Sequence, residues 1–252
     1  MRIAIKFAYD GKDFHGYARQ PKLKTVEEEL IKSLIKHGFI ENLEESFFRS
    51  ASRTDKNVSA LGNVVTIITK ASKKNLLQTI SDDSSILAYG VREVDKEFNP
   101  RHAKFRQYRY YLSKTNLDIE KIVSTSACFT GTHNFSNFAR LESFKDPIRT
   151  IDNIIFTSND NFLIVDFYAQ TFLWHQIRRI ISALIKVGNG KLEKEQIIEA
   201  LANPSKKVDF GLAPAEPLIL MDIVYDFDFE YNKKLLNILK NIERQIVSSL
   251  LQ

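Results

Sequence analysis

Ile3, Ile5, Phe7 and Tyr9 alternate with Arg2, Ala4, Lys6 and Ala8, the period of two that marks a strand. Asp10 and Gly11 end it. From Thr25 the period lengthens, and Val26, Leu30 and Leu34 recur on one helical face. Thr25 and Glu28 have the spacing of a capping box, and Gly38 supplies the stop. Strand patterns follow near 46–50 and over 63–69, then a helix over 73–81 and a strand over 86–94. The succession β-α-β-β-α-β is the ferredoxin-like plan.

Asn99 and Pro100 mark a break, after which a similar alternation resumes. The pattern predicts a strand over 105–113, a helix over 117–127, and a hairpin of 148–158 with 161–170. A helix over 172–187 stops at Gly188 and Gly190, and 218–226 predicts a last strand. Along 232–251, Leu235, Leu239, Ile242, Ile246 and Leu250 form one stripe, suited to packing or dimerisation. The expected fold is therefore α+β, with two ferredoxin-like (RRM-like) halves, 1–100 and 101–252. They are expected to join into one extended mixed, mainly antiparallel sheet with helices on one face and a central cleft. The second half is expected to carry the C-terminal helix.

At 252 residues the chain has room for roughly 1.7 average domains and needs no disulfide to complete a core. Its single cysteine, Cys128, fits a reducing compartment. The first residues alternate like a strand instead of forming a signal-peptide core, and no apolar run approaches the roughly 18 residues of a membrane span. A cytoplasmic protein without membrane association is expected. Lys and Arg number 36 against 31 Asp and Glu, a net charge of +5 that permits a phosphate-rich partner without demanding one. The 18 Phe and 9 Tyr add rings able to stack on unpaired bases, although most Phe must be core.

Among candidate chemistry, Arg53-Thr54-Asp55 stands in the loop between the second and third strand patterns. A lone loop aspartate most often makes an Asx turn. Here Arg53, two residues away, can hold Asp55 ionised, which suits nucleophilic or general-base work.

Several blocks, in order, resemble the tRNA pseudouridine synthase A (TruA) family. Phe7-Ala8-Tyr9-Asp10-Gly11, with Phe14, Gly16, Gln20 and then Thr25-Val26-Glu27, is similar to its amino-terminal pattern. Arg53-Thr54-Asp55 matches the family's central triplet, and Arg101 to Tyr110 its aromatic strand. Gly131 to Phe135, Phe172 to Arg178 with Val187 to Gly190, and Ala213 to Leu218 complete the series. The resemblance implies conversion of uridine to pseudouridine in the tRNA anticodon stem-loop, around positions 38 to 40, by a homodimer. The reaction is an isomerisation, so no cofactor or metal is expected. In agreement, the sequence holds no Walker motif, zinc-spaced Cys or His set, or G-x-G-x-x-G.

The uridine must leave its stack before its ribose can be reached. By the resemblance, Asp55 is the nucleophile or base there, and Tyr108 stacks on the uracil. Alternation puts Tyr108 and Tyr110 on one face and Arg109 on the other, so the residues alone do not choose between the tyrosines. On the helical wheel Leu173, Ile177, Ile180, Ile181 and Leu184 form the apolar arc, with His175, Arg179, Ser182 and Lys186 opposite. Arg178 falls at the arc's edge, where a partly desolvated guanidinium wants a partner. The resemblance supplies Asp55, and it makes Leu218 the apolar floor beneath the base. Arg179 points to water. Neither His133 nor His175 is given a chemical role. Lys22, Lys24, Arg101, His102, Lys104, Arg106 and Arg109 form a candidate phosphate-tracking surface.

Departures from the family pattern cluster after Asp55. Asn57 stands where a glycine is usual, and asparagine tolerates positive φ, so the loop shape can survive. Lys56 replaces a small residue and is a candidate phosphate contact. Ser59 replaces a histidine and Asn63 a glutamine near the expected substrate channel. The rival reading is a non-catalytic tRNA-binding protein or chaperone on the same fold. An unrelated metabolic α+β enzyme would require every block to be coincidence.

Overall fold

The computed structural model describes residues 1–83 and 85–251. Along the chain come β1 (Arg2–Tyr9), α1 (Val26–Lys36), α2 (Leu43–Ser46), β2 (Arg49–Ser50), β3 (Ser59–Ile68), α3 (Lys73–Asp83) and β4 (Ile86–Val94). There follow β5 (Phe105–Ser113), α4 (Ile119–Ser126), β6 (Gly131–Asn134), β7 (Ile148–Ile151), β8 (Asn153–Ser158) and β9 (Phe162–Ala169). α5 (Gln176–Gly188), α6 (Lys194–Ala202), β10 (Leu218–Val224), β11 (Glu230–Tyr231) and α7 (Lys233–Ser249) complete the order. The protein is α+β. It divides into two compact units, Met1–Lys104 with Ile219–Gln252, and Phe105–Leu218.

In the first unit the strand order is β11-β4-β1-β3-β10, with β2 also paired to β3. Strands β4, β1, β3 and β2 are antiparallel neighbours joined through α1 and α3, the ferredoxin-like plan. The strand expected near 46–50 shrinks to two residues, because 43–46 are helical and Phe47 turns out at φ +46°. Parallel β10 then takes up β3 at Ser59 and Ala60, opposite Ile219 and Leu220.

Helix α1 starts where the spacing predicts, but the capping box does not form. Thr25 occupies the cap position with extended φ and ψ, yet its hydroxyl is buried without a hydrogen-bond partner among the described residues. Glu28 turns instead to Lys32, 3.7 Å away. The helix stop is as expected. Gly38 adopts φ +67°, its amide donates to Ile35 O, and the Phe39 amide donates to Leu34 O, each at 2.9 Å. That pair of bonds is a Schellman closure.

All eight residues of β1 are buried, including Arg2 and Lys6. Alternation leaves one face of this strand to water; the chain beyond β10 covers it. Lys6 Nζ lies 2.5 Å from Asp222 Oδ1 and 4.9 Å from the Phe229 ring centre. Tyr225, Phe227 and Phe229 follow in ring-to-ring contact, and Tyr231 stacks on Tyr89 at 5.9 Å. Helix α7 packs on β4 and β3 and buries Leu235 and Ile246 of its stripe. The C-terminal segment therefore belongs with the first unit, whereas the sequence pattern assigns it to the second half. Its pairing with β3 and β4 is the reason.

In the second unit β5, β9 and β8 are antiparallel neighbours, and β6 pairs with β7 as a separate ribbon. The strand expected over 148–158 thus splits at Asp152 between two sheets. The β8–β9 turn is held by Asn159, whose Oδ1 accepts from the Asn161 and Phe162 amides at 3.0 and 2.8 Å. Helix α5 begins four residues later than expected. His175 is left-handed at φ 64°, and Gln176 Oε1 folds back to accept from the Leu173 amide at 2.8 Å. At its other end Gly188 admits α4, since a Cβ there would lie 2.6 Å from Ile122 Cδ1. Helix α6 is absent from the sequence-based expectation; Glu193 and Gln196 box its start. Among the described residues no helix is long and apolar enough to cross a membrane.

Candidate active site

Asp55 lies in the first unit, on the loop from β2 to β3. Its carbonyl accepts from the Val58 amide at 3.2 Å, closing a four-residue turn. The third residue of that turn, Asn57, has φ +66°. A positive angle at this position is the mark of a type II turn, and asparagine adopts it at less cost than most residues. The turn rests on two glycines. A Cβ at Gly11 would stand 2.5 Å from the Val58 carbonyl carbon, and one at Gly16 would stand 3.2 Å from the Lys56 nitrogen. Ser59 Oγ accepts from the Gly11 amide at 2.9 Å, locking the two segments together.

Hydroxyl groups fix the residues on the other side. The Tyr9 and Thr54 hydroxyls are 2.8 Å apart, and Thr54 O accepts from the Tyr17 amide at 3.1 Å. Tyr17 donates its hydroxyl to Ser50 Oγ at 2.7 Å, and Ser50 donates to Glu27 Oε1 at 3.3 Å. Burial pushes the Tyr17 hydroxyl pKa well above its ordinary value, partly opposed by the Ser50 bond. Asn63 Nδ2 donates to Ser52 O at 3.1 Å. Ser59 and Asn63, expected near a channel, are buried beneath the loop as its supports. On this frame Asp55 and Asn57 are half-buried, while Arg53 and Lys56 are exposed. A carboxylate presented on a turn braced in this way is suited to attack or proton abstraction, chemistry that is sensitive to small displacements.

Arg101 also belongs to the first unit; Tyr108, Arg109, Arg178 and Leu218 belong to the second. Tyr110 is the most deeply buried of the three tyrosines of β5, and its hydroxyl donates to Pro214 O at 3.2 Å. Burial raises that hydroxyl's pKa, with the Arg178 charge opposing. Tyr108 meets the edge of Phe172, with ring centres 5.4 Å apart. Arg178 Nε donates to Ala213 O at 2.8 Å, and the Ala213 amide donates back to Arg178 O at 3.1 Å. Leu218 is buried at the start of β10, its amide bonded to Ala215 O.

Two arginines depart from the expected surface. The β5–β9 register sets Arg109 opposite Asp166, and its Nε and one terminal nitrogen each lie 2.9 Å from a carboxylate oxygen. This fork raises the Arg109 pKa and commits the group to a protein partner instead of phosphate. Arg106 is buried and donates to Gln170 O. Arg179, expected to face water, pairs with Asp209 at 3.0 Å, and neighbouring Ser182 donates to Phe210 O at 2.8 Å. The stretch 209–213 covers that side of α5. The Gly211 amide, and then Arg179, hold the Asp209 carboxyl below its usual range.

Tyr9, Ser50 and Gly11 are the supports that sequence reasoning names only as motif members or passes over. Their signal lay in hydroxyls and a glycine at strand ends, where a side chain serves a loop more readily than a core. Among the described residues no group of three His, Cys, Asp or Glu side chains is placed to hold a metal ion.

A family model described as tRNA pseudouridine synthase matches residues 126–226. The chain is 44% identical over 254 residues to tRNA pseudouridine synthase A of Pyrococcus abyssi, covering 98% of this chain and 92% of that one. It is 44% identical over 232 residues to the enzyme of the same name from Thermococcus sibiricus, with coverages of 90% and 85%. For Pyrococcus furiosus the identity is 40% over 253 residues, with coverages of 98% and 91%.

Proposed function

Because the chain belongs to the tRNA pseudouridine synthase A family, we propose that it modifies uridines of the tRNA anticodon stem-loop, around positions 38 to 40. It is an isomerase that converts uridine in tRNA to pseudouridine. The C1′–N1 bond breaks, the uracil turns over and C1′–C5 forms. C5 loses its proton and N1 gains one, so the atoms balance with no oxidant or reductant.

In this reading Asp55 acts on the ribose, as nucleophile or as base, and Arg53 and Arg178 keep it ionised. Tyr108 stacks on the everted uracil and Leu218 lies beneath it. Lys56 and Arg101 take backbone phosphates, while Arg109 braces Tyr108's strand through Asp166. The protein works in the cytoplasm as a homodimer, each tRNA spanning both subunits. The observation that supports the assignment is the closely packed turn under Asp55, held by Gly11, Gly16 and the Tyr9–Thr54 hydroxyl pair.

Tritium release from tRNA carrying 5-tritiated uridine tests it. The wild type is expected to release tritium and Asp55→Ala none, with tRNA binding largely retained. Release by neither protein, with binding intact, would favour the non-catalytic tRNA-binding alternative. Sequencing the product for the modified position decides whether the anticodon stem-loop is the target.

A further inference from the structure

Arg49, Arg53 and Arg101 line a cavity of about 190 Å³ in the first unit, together with Ser50, Asn99 and Glu27. Sites that enclose a whole drug-sized ligand run to roughly 300–1,000 Å³, so this one suits a smaller group. Its lining is lopsided in charge, with three arginines against one glutamate. Both Glu27 oxygens are already engaged, Oε1 by the Ser50 hydroxyl and Oε2 by the Arg19 amide. Elsewhere guanidiniums close on protein acceptors, Arg109 on Asp166, Arg178 on Ala213 and Arg179 on Asp209. Arg49 and Arg53 have no carboxylate partner among the described residues. Clustered cations of this kind repel one another and are relieved by an anion brought between them, and the guanidinium fork matches phosphate oxygens.

The cavity is also fixed in place. Arg49 pairs with Thr66 in the sheet, and Ser50 is tied to Tyr17 and Glu27. Arg53 connects it to the candidate catalytic carboxylate. Two residues of chain span at most about 7 Å, so the backbone that carries Arg53 into the cavity lies within that distance of the backbone that carries Asp55.

We propose that this cavity seats one phosphodiester of the tRNA backbone beside the uridine presented to Asp55, with Arg49 as the added grip alongside Arg53 and Arg101. The inference rests on the tRNA-modifying reading above and deepens it. Phosphate contacts set register and carry the salt dependence of binding.

The test measures tRNA affinity of Arg49→Gln, Arg101→Gln and the double variant across a salt series, with pseudouridine formation followed in parallel. Each single variant is expected to weaken binding about three- to tenfold at ~0.1 M salt and to reduce the slope of log K against log salt by about 0.7–0.9. The KM for tRNA rises with it, while kcat stays within about twofold. Arg49→Lys keeps the charge and restores the slope. Because both arginines grip the same phosphate, the double variant loses less than the product of the two single losses. Wild-type affinity and slope in Arg49→Gln, or strictly multiplicative losses, would overturn the shared seat. Failure of the wild type to form pseudouridine would instead sink the enzymatic reading, which the binding series does not test.

Discussion

Gly11 and Val58 are so close that a methyl group on the first would stand 2.5 Å from the carbonyl carbon of the second. The methyl's place is set by the Gly11 backbone and the atom it meets is itself backbone, so neither can rotate away, and the turn that carries Asp55 must move instead. Gly11→Ala is therefore expected to lower kcat about 100-fold or more, the scale of a 1 Å misplacement of a reacting group. Overpacking should also cost about 1–3 kcal/mol of stability. Steady-state kinetics and thermal unfolding check both, and an unimpaired kcat would show that the turn tolerates displacement.

Asn57 gives a gentler perturbation of the same turn. At φ +66°, Asn57→Ala places a Cβ-bearing residue without a helpful side chain in the left-handed region, at about 1–2 kcal/mol. Asn57→Gly accepts that angle freely and should hold the turn. Urea unfolding is expected to rank the wild type and the glycine variant close together, with the alanine variant below both. Equal stability of the two variants would mean that backbone strain does not govern this turn.

Asp166 anchors both Arg109 and Gln107 from the neighbouring strand. Asp166→Ala leaves a half-buried guanidinium without its carboxylate, and breaking such a pair costs on the order of 3–5 kcal/mol where burial is complete. Arg109 retains some exposure, so about 1–3 kcal/mol is expected here. Arg109→Met in the same background should recover part of the loss. Unfolding curves of the two single variants and the double variant measure the coupling.

Tyr17 makes stability depend on alkaline pH. Its hydroxyl is raised above 10.0 by burial in the folded state, whereas the unfolded chain titrates near the ordinary value. Above pH 10 the unfolded state has given up this proton and the folded state has not. Stability is therefore complete below about pH 10 and falls as pH rises beyond it, by up to about 1.4 kcal/mol per pH unit for this group. Tyr89, raised likewise by burial, acts in the same window. Tyr17→Phe should decline less steeply than the wild type when unfolding free energy is followed from about pH 8 to 11.

Elements that depend on near neighbours are legible in the sequence. Ile86–Val94 and Phe105–Ser113 are strands at the limits their alternation predicts, and Gly38 ends α1 at a positive φ. The tolerance of Asn57 for the turn after Asp55 was legible in the same way, because a left-handed angle is a property of one residue type. The capping box failed although its spacing was right. Thr25 is buried and Glu28 answers Lys32, so local geometry yielded to neighbours the motif does not contain.

The amino-acid sequence by itself determined the strand and helix periods, the glycines and asparagine that allow the tight turns, and the Arg53-Thr54-Asp55 block that carries the family resemblance. Those are short-range properties of residue types. Tertiary structure alone decided that Arg109 faces Asp166, that aromatic rings roof the Lys6 side of β1, and that the C-terminal helix joins the first unit. Such pairings are set by register and burial between segments far apart in the chain, and hydrophobic periodicity records which face is buried without recording what covers it.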